Sequence, residues 1–425
     1  MTVDRSKAPD IHTVQEIKPL VYQKIMLSRD IPVYLTEHGE SNLFKLVLRF
    51  DGGISDENKS LEAQLAARML LEGTSRKSAE EIALLLDFFG ASIKTIAERD
   101  YISVKVQGLR KDFQGIMDVV MELIHDSVLP EKEFLLLKSR IHNQFKTNIQ
   151  RKSYQAQNEI KPLLFGTEHA YGHSLSEAVF NQLTLDDVKH YYKRAIQNGH
   201  LRIFISGIEA EEAETFLNNR TGNLLASEYK ALTQAVFPTN KRRVLHIQHD
   251  NAVQSAIRLG LRLQNRTHPD FMELKILNTI LGGYFGSRLM KNLREDKGLT
   301  YGVGSAIGSA RQSGLWIIAT EVGAEYTQKA LSEIYKEINN LKTTLVSDQE
   351  LQLIQHYLPG KILRALEKDF DKLDSFMELS DHQLPEDYYS SFLKAINNIT
   401  ADRIKELANQ YLMFDDISEV VVGKT

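Results

Sequence analysis

The chain has 425 residues, a formal net charge of −4 and no cysteine. Disulfides, zinc–thiolate sites and cysteine nucleophiles are therefore excluded, and the mixing of both charge signs argues against nucleic acid as the main ligand. A 42% hydrophobic and 25% charged composition is that of a globular protein, and the length suggests two or more domains.

Residues 1–20 read as a polar lead-in. MTVDRSKAPDIHTVQEIKP has no apolar core of the secretory kind, and no run is long and apolar enough to span a bilayer. As it stands the chain reads as cytoplasmic; a secretory signal preceding it would make it periplasmic. Ile31, Val33 and Leu35 alternate with polar neighbours as a half-buried strand does. Leu43 to Phe50 is a second strand, with Lys45 and Arg49 on one face and Phe44, Leu46, Leu48 and Phe50 on the other. Ser60 to Glu72 reads as a helix through Leu61, Leu65 and Met69, ended by Gly73. Ser78 with Glu81 forms a candidate capping box before Ile82, Leu85, Leu86 and Phe89. Ile102, Val104 and Val106 mark a strand, and helices are expected over roughly 112–125 and 130–150. Thr184 with Asp187 opens another helix before a strand at Leu201 to Ser206.

The second half runs in the same order. SAIRLGLRL is a strand, Phe271 to Leu281 a helix, Leu315 to Thr320 a strand and Tyr326 to Leu341 a helix. Helices from Asp348 and Thr400 and a closing strand at Val420 to Gly423 follow. NQLTLDDVKHYYKRA from Asn181 echoes NNITADRIKELANQY from Asn397, an offset of 397 − 181 = 216. The strand pair Ile102 and Leu315 is offset by 315 − 102 = 213. A near-constant offset of half the chain implies an internal duplication, each copy the size of a domain with its own core. The expected division is a first domain over 1–215, a linker over 216–240 and a second domain over 241–425. Hairpin-like strands mixed with helices indicate an α+β fold.

The densest motif is Leu281 to Ser305, LGGYFGSRLMKNLREDKGLTYGVGS. It reads as the end of an apolar helix, a glycine break at Gly282 and Gly283, a short helix through Leu289 and Leu293, a turn at Asp296-Lys297-Gly298 and a strand from Thr300. The glycine pair, SRL, LRE, KG and a tyrosine seven positions after Arg294 (301 − 294 = 7) stand in one register. Together they resemble the second-domain signature of the M16 peptidases, the family of insulysin, the mitochondrial processing peptidase and the two-chain bacterial zinc peptidases. The resemblance covers essentially the whole chain. It implies two tandem homologous M16-type α+β domains, each an antiparallel sheet flanked by helices.

An M16 catalytic chain carries HxxEH where this chain has LEAQLAARMLLEGT. Two histidines at i and i+4 bind zinc there, and the glutamate serves as general base. With Met69-Leu70 and Gly73-Thr74 setting the register, the first histidine falls on Gln64, the glutamate on Ala67 and the second histidine on Arg68. An amide is a poor zinc ligand, alanine accepts no proton, and a guanidinium repels a divalent cation. The family's third ligand is a glutamate near Asn143 and Gln144, but no Glu lies between Glu133 and Glu159. No metal ligand set, and hence no self-sufficient metallopeptidase, is expected. Gln64, Ala67 and Arg68 read as solvated or interface positions, and Leu61, Leu65 and Met69 as packing.

In the family the second-domain arginine and tyrosine hold the substrate backbone beside the scissile bond. By register those roles fall on Arg294 and Tyr301. A guanidinium offers several donors to peptide carbonyls, and a phenol placed where charge develops is an oxyanion donor. The plainer alternative makes Arg294 a helix C-terminal cation and Tyr301 a half-buried strand aromatic. The resemblance thus implies the non-catalytic, substrate-binding subunit of a heterodimeric zinc endopeptidase. Its partners would be an HxxEH-bearing M16 chain and a peptide, and zinc would be expected only in that partner. A catalytically dead scaffold, a peptide-binding homologue without a peptidase partner and an enzyme with unconventional ligands are the alternatives. Glu168, His169 and His173 match no helical ligand spacing and read as a structural loop. ALEKDFDKLD reads as a solvated helix face, and Trp316 as core.

Overall fold

The computed structural model describes residues 14–37, 39, 41–222, 224–226 and 237–424. The start of the polar lead-in (1–13) and residues 223 and 227–236 of the expected linker lie outside the described residues. The strands of the first half are β1 (Tyr22–Met26), β2 (Pro32–Thr36), β3 (Leu43–Asp51), β4 (Ser92–Ala97), β5 (Tyr101–Leu109), β6 (His200–Ser206) and β7 (Leu225–Ala226). Those of the second are β8 (Val244–Gln248), β9 (Gln254–Leu263), β10 (Val303–Ser309), β11 (Gly314–Gly323) and β12 (Ser418–Gly423).

The first sheet runs β1-β2-β6-β3-β5-β4, with β7 beside β6, and the second runs β10-β11-β9-β12-β8. Matching β8 to β2, β9 to β3, β10 to β4, β11 to β5 and β12 to β6 gives one strand order for both sheets. That is the internal duplication in three dimensions. The sheets are not wholly antiparallel: β2 pairs with β6, β6 with β7, and β8 with β12, in parallel. A parallel pair needs a long crossover, and the helices of each repeat lie between its first and last strands.

Local sequence signals set the helix ends. Ser78 and Glu81 form the reciprocal capping box at the helix Ala79–Phe88, and Thr184 and Asp187 form another at Leu185–Tyr192. The segment Ala210–Leu217 is a helix. Phe44, Leu46, Leu48 and Phe50 join the first-half core, and Trp316 sits buried in that of the second half.

The halves exchange helices. Lys152–Phe165, from the first half, lies on the second sheet against β9 and β12. Its counterpart Asp369–Asp381 (369 − 152 = 217) lies on the first sheet against β2 and β6. In the first, Ala156, Ile160 and Leu164 recur at i, i+4 and i+8 and are buried with Ala256, Val420 and Val422. Pro162 removes one helical N–H bond, and the freed Asn158 carbonyl accepts from Ser174 Oγ at 2.6 Å. In the second, Leu373, Phe376, Met377 and Leu379 pack on Val47 and Phe204.

This corrects one expectation. ALEKDFDKLD is not simply a solvated face, because Leu373 is fully buried and Asp374 pairs with Lys45 at 2.6 Å. Lys45 and Arg49, on the face of β3 opposite its apolar residues, are buried under the same helix. Asp381 accepts from Arg49 and, at 2.9 Å, from Arg202, and its carbonyl takes the Tyr101 hydroxyl at 3.1 Å.

Candidate functional site

The signature segment begins where the helix Phe271–Asn278 widens into a π-turn, Thr279–Gly283. Gly282 lies so close to β10 that a Cβ there would come within 2.6 Å of Ser305 Oγ and 2.7 Å of its amide nitrogen. Only glycine fits such an approach. A second π-helical stretch, Met290–Asp296, is anchored by the buried Leu289 and Leu293 and ends before Gly298 at φ +60°. Ion pairs hold both flanks: Arg288 binds Glu350 through two bonds of 2.8 and 2.7 Å, and Lys297 meets Glu333 at 3.1 Å.

Arg294 lies on the last turn of this stretch, half-buried, with its guanidinium 4.7 Å from the ring centre of Phe285. Phe285 itself is 65% exposed. Tyr301 is 93% exposed. The strand expected from Thr300 starts at Val303, because the Thr300 hydroxyl donates to the Glu321 carbonyl at 2.6 Å and fixes a turn there. Tyr301 rides on that turn, not in the sheet, so it is not a half-buried strand aromatic. Among the described residues neither side chain makes a hydrogen bond or ion pair, so the guanidinium donors and the phenol are free for a ligand from outside. Phe285 was missed in the sequence, although it stands inside the motif between the glycine pair and SRL.

The helix aligned with HxxEH is Glu62–Met69. Leu61 precedes it at φ +81°, and Glu57 accepts from the amides of Leu61 and Ala63 at 3.2 and 2.8 Å. Burial, the largest influence, pushes the Glu57 pKa up to about 8 despite those bonds. Ala67, expected at a solvated or interface position, is 1% exposed and belongs to the core. Arg68 is exposed and Gln64 half-buried. Asn143 and Gln144 are exposed on Glu131–Ile149. An amide, a methyl group and a guanidinium do not fit zinc, and no cluster of metal-binding side chains occurs among the described residues. In the loop of Glu168, His169 and His173, His169 Nδ1 accepts from the Tyr171 amide and Nε2 meets Gln312 Oε1 at 2.9 Å, a structural role.

Residues 36–178 match the insulinase family, peptidase family M16, and residues 182–358 match the peptidase M16 inactive domain. The chain belongs to the M16 family. It is 23% identical over 354 residues to the "Uncharacterized zinc protease YmxG" of Bacillus subtilis, covering 82% of this chain and 84% of that protein. It is 22% identical over 421 residues to the "Non-peptidase homolog YmxG" of Helicobacter pylori, covering 95% and 94%. The fold matches that of a peptidase M16 inactive domain from Pseudomonas fluorescens with a TM-score of 0.87 and 24% identity, over 96% of this chain and 99% of that one. This M16 chain is built as two M16 domains and has Gln64, Ala67 and Arg68 where the family's catalytic chains carry HxxEH. Among its described residues no helix is long and apolar enough to cross a membrane.

Proposed function

We propose that this chain is the substrate-holding, non-catalytic subunit of a two-chain M16 zinc endopeptidase. Arg294 and Tyr301 grip the backbone of a peptide and complete the site of a partner that carries HxxEH and the zinc. The observation that carries this reading is a contrast within one chain. Among the described residues the signature donors make no hydrogen bond or ion pair, Tyr301 exposed and Arg294 half-buried beside Phe285, while the helix aligned with the metal motif offers no ligand at Gln64, Ala67 or Arg68. Exposed arginine and tyrosine donors cost side-chain entropy to order, so they suit contacts formed only when substrate and partner are present. The aromatic face of Phe285 limits how far Arg294 can swing.

The test mixes the purified chain with the HxxEH-bearing M16 chain of the same organism and follows peptide cleavage. Neither chain alone cleaves, and the pair does. Arg294→Ala or Tyr301→Phe lowers kcat/KM of the pair by roughly 100-fold, the scale of losing one oxyanion-type donor. Because Tyr301 is exposed and Arg294 makes no hydrogen bond or ion pair among the described residues, melting of the chain should change little. Full activity of the partner alone would overturn the reading. So would a pair indifferent to both substitutions, the result expected of a pure scaffold.

A further inference from the structure

A cavity of about 430 Å³ opens in the second half, beside the helix Phe271–Asn278 and β10, and is lined by three later helices. Its volume falls within the roughly 300–1,000 Å³ of small-molecule sites. Three cations, Arg266, Lys275 and Lys361, reach its wall, against one carboxylate, Glu378, which Arg266 already holds. Among the described residues no carboxylate lies within ion-pair distance of Lys275, and its ammonium lies 5.7 Å from the Phe392 ring centre. Burial first, and then the charge of Arg266, lower the Lys275 pKa to about 8. Two further polar atoms of lining residues, Asn278 Oδ1 and the Tyr388 hydroxyl, have no hydrogen-bond partner. Ile307, Leu358 and Ile362 make part of the wall apolar.

Holding the Lys275 ammonium in a partly desolvated cavity with no carboxylate at ion-pair distance is costly. An anion entering it relieves that cost, and the apolar wall gives the rest of such a molecule a place. The location in the repeat adds a second argument. The helices Phe271–Asn278 and Asp348–Ala365 are the counterparts of Glu62–Met69 and Glu131–Ile149 (271 − 62 = 209; 348 − 131 = 217). That first-half pair is the one whose positions align with metal ligands. In the second half the equivalent region carries positive charge, which repels a metal ion and attracts an anion.

We propose that this cavity binds a small amphiphilic carboxylate, its head on Lys275 and Lys361 and its apolar body against Ile307, Leu358, Ile362 and Phe392. The proposal does not depend on a peptidase partner. It is tested on the isolated chain, so either reading can fail without the other.

The experiment is calorimetric titration of the full chain with sodium octanoate, with octylamine and octanol as controls. A second arm compares acetyl-leucine with its amide, which tells a peptide-type carboxyl terminus from a free acid. Carboxylate-dependent binding is expected in at least one arm, and octylamine should not bind. Lys275→Met keeps the side-chain length and removes a buried cation, so the melting temperature should hold or rise. Lys361→Gln changes a residue at the exposed rim. Each should weaken carboxylate binding roughly tenfold. Octanol binding as well as octanoate, no binding in either arm, or full affinity in the folded Lys275→Met and Lys361→Gln variants would overturn the proposal.

Discussion

Lys152–Phe165 meets the second sheet through Ala156, Ile160 and Leu164, all buried and apolar. Its counterpart Asp369–Asp381 meets the first sheet through Leu373, Phe376 and Met377 and also through Asp374 on Lys45 and Asp381 on Arg49 and Arg202. The two seats arose from one repeat and hold equivalent helices, yet they are built from different forces. Apolar burial is non-directional and tolerates small shifts. A buried ion pair is costly to desolvate and recovers that cost only when every partner is in place. The ionic seat therefore fixes where the second half lies on the first, and the apolar seat adds area. Tyr101 and Ser103 bring β5 into the same cluster, through the Asp381 carbonyl and the Arg49 guanidinium, so one helix end is tied to several strands at once.

The largest effect separating the seats is expected from Asp381→Ala. It takes the ion-pair carboxylate from buried Arg202 and leaves Arg49 with Glu98 at 2.6 Å as its remaining one, and breaking a buried pair from one side costs about 3–5 kcal/mol. Urea unfolding followed by circular dichroism reads this as a lower midpoint. A triple variant that makes Arg49, Arg202 and Asp381 apolar together should recover most of the loss, because the penalty belongs to the unpaired charges. An Asp381→Ala chain within about 1 kcal/mol of the parent would show that water reaches the cluster and that the seat is not ionic in effect. On the apolar seat, Leu164→Ala should cost about 2–4 kcal/mol through lost burial and a cavity. No compensating substitution among charged residues should rescue it.

The same contrast explains what could be read in advance. The duplication, both capping boxes and the core faces of β3 and β5 follow from period and spacing. Gln64, Ala67, Arg68, Arg294 and Tyr301 could be placed because they stand in register with a motif. The misreadings fall where a distant segment decides the environment. What covers the Lys45 and Arg49 face of β3 cannot be read locally, because Asp374 and Asp381 come more than 300 residues later. ALEKDFDKLD looks solvated for the same reason. Ala67 reads as peripheral from its register with the metal motif, but its helix packs it into the first-half core. Tyr301 falls in a strand when the strand is read from Thr300; one hydroxyl bond, from Thr300 to Glu321, moves the strand start to Val303. Lys275 sits within an apolar helical run, and only the fold shows that it borders a cavity.

The smallest and most selective difference between the seats lies in their response to acid. His382 follows Asp381, is buried, and has no hydrogen-bond partner for Nδ1. Burial, followed by the charge of Arg266, lowers its pKa to about 4, although Asp381 and Glu378 favour the charged ring. The unfolded chain protonates this ring near pH 6.5, before the folded chain does. Stability from the neutral ring is therefore full above about pH 6.5 and is lost as pH falls towards 4. The loss attributable to His382 should be on the order of 3 kcal/mol. It is read as the difference between the urea midpoints of the parent and of His382→Gln across that range. Leu164→Ala should keep the parent's slope, because it loosens the other seat and leaves the ring dry. Parallel curves for parent and His382→Gln would instead mean that the ring is hydrated in solution, and the acid response of the ionic seat would then have to come from its carboxylates.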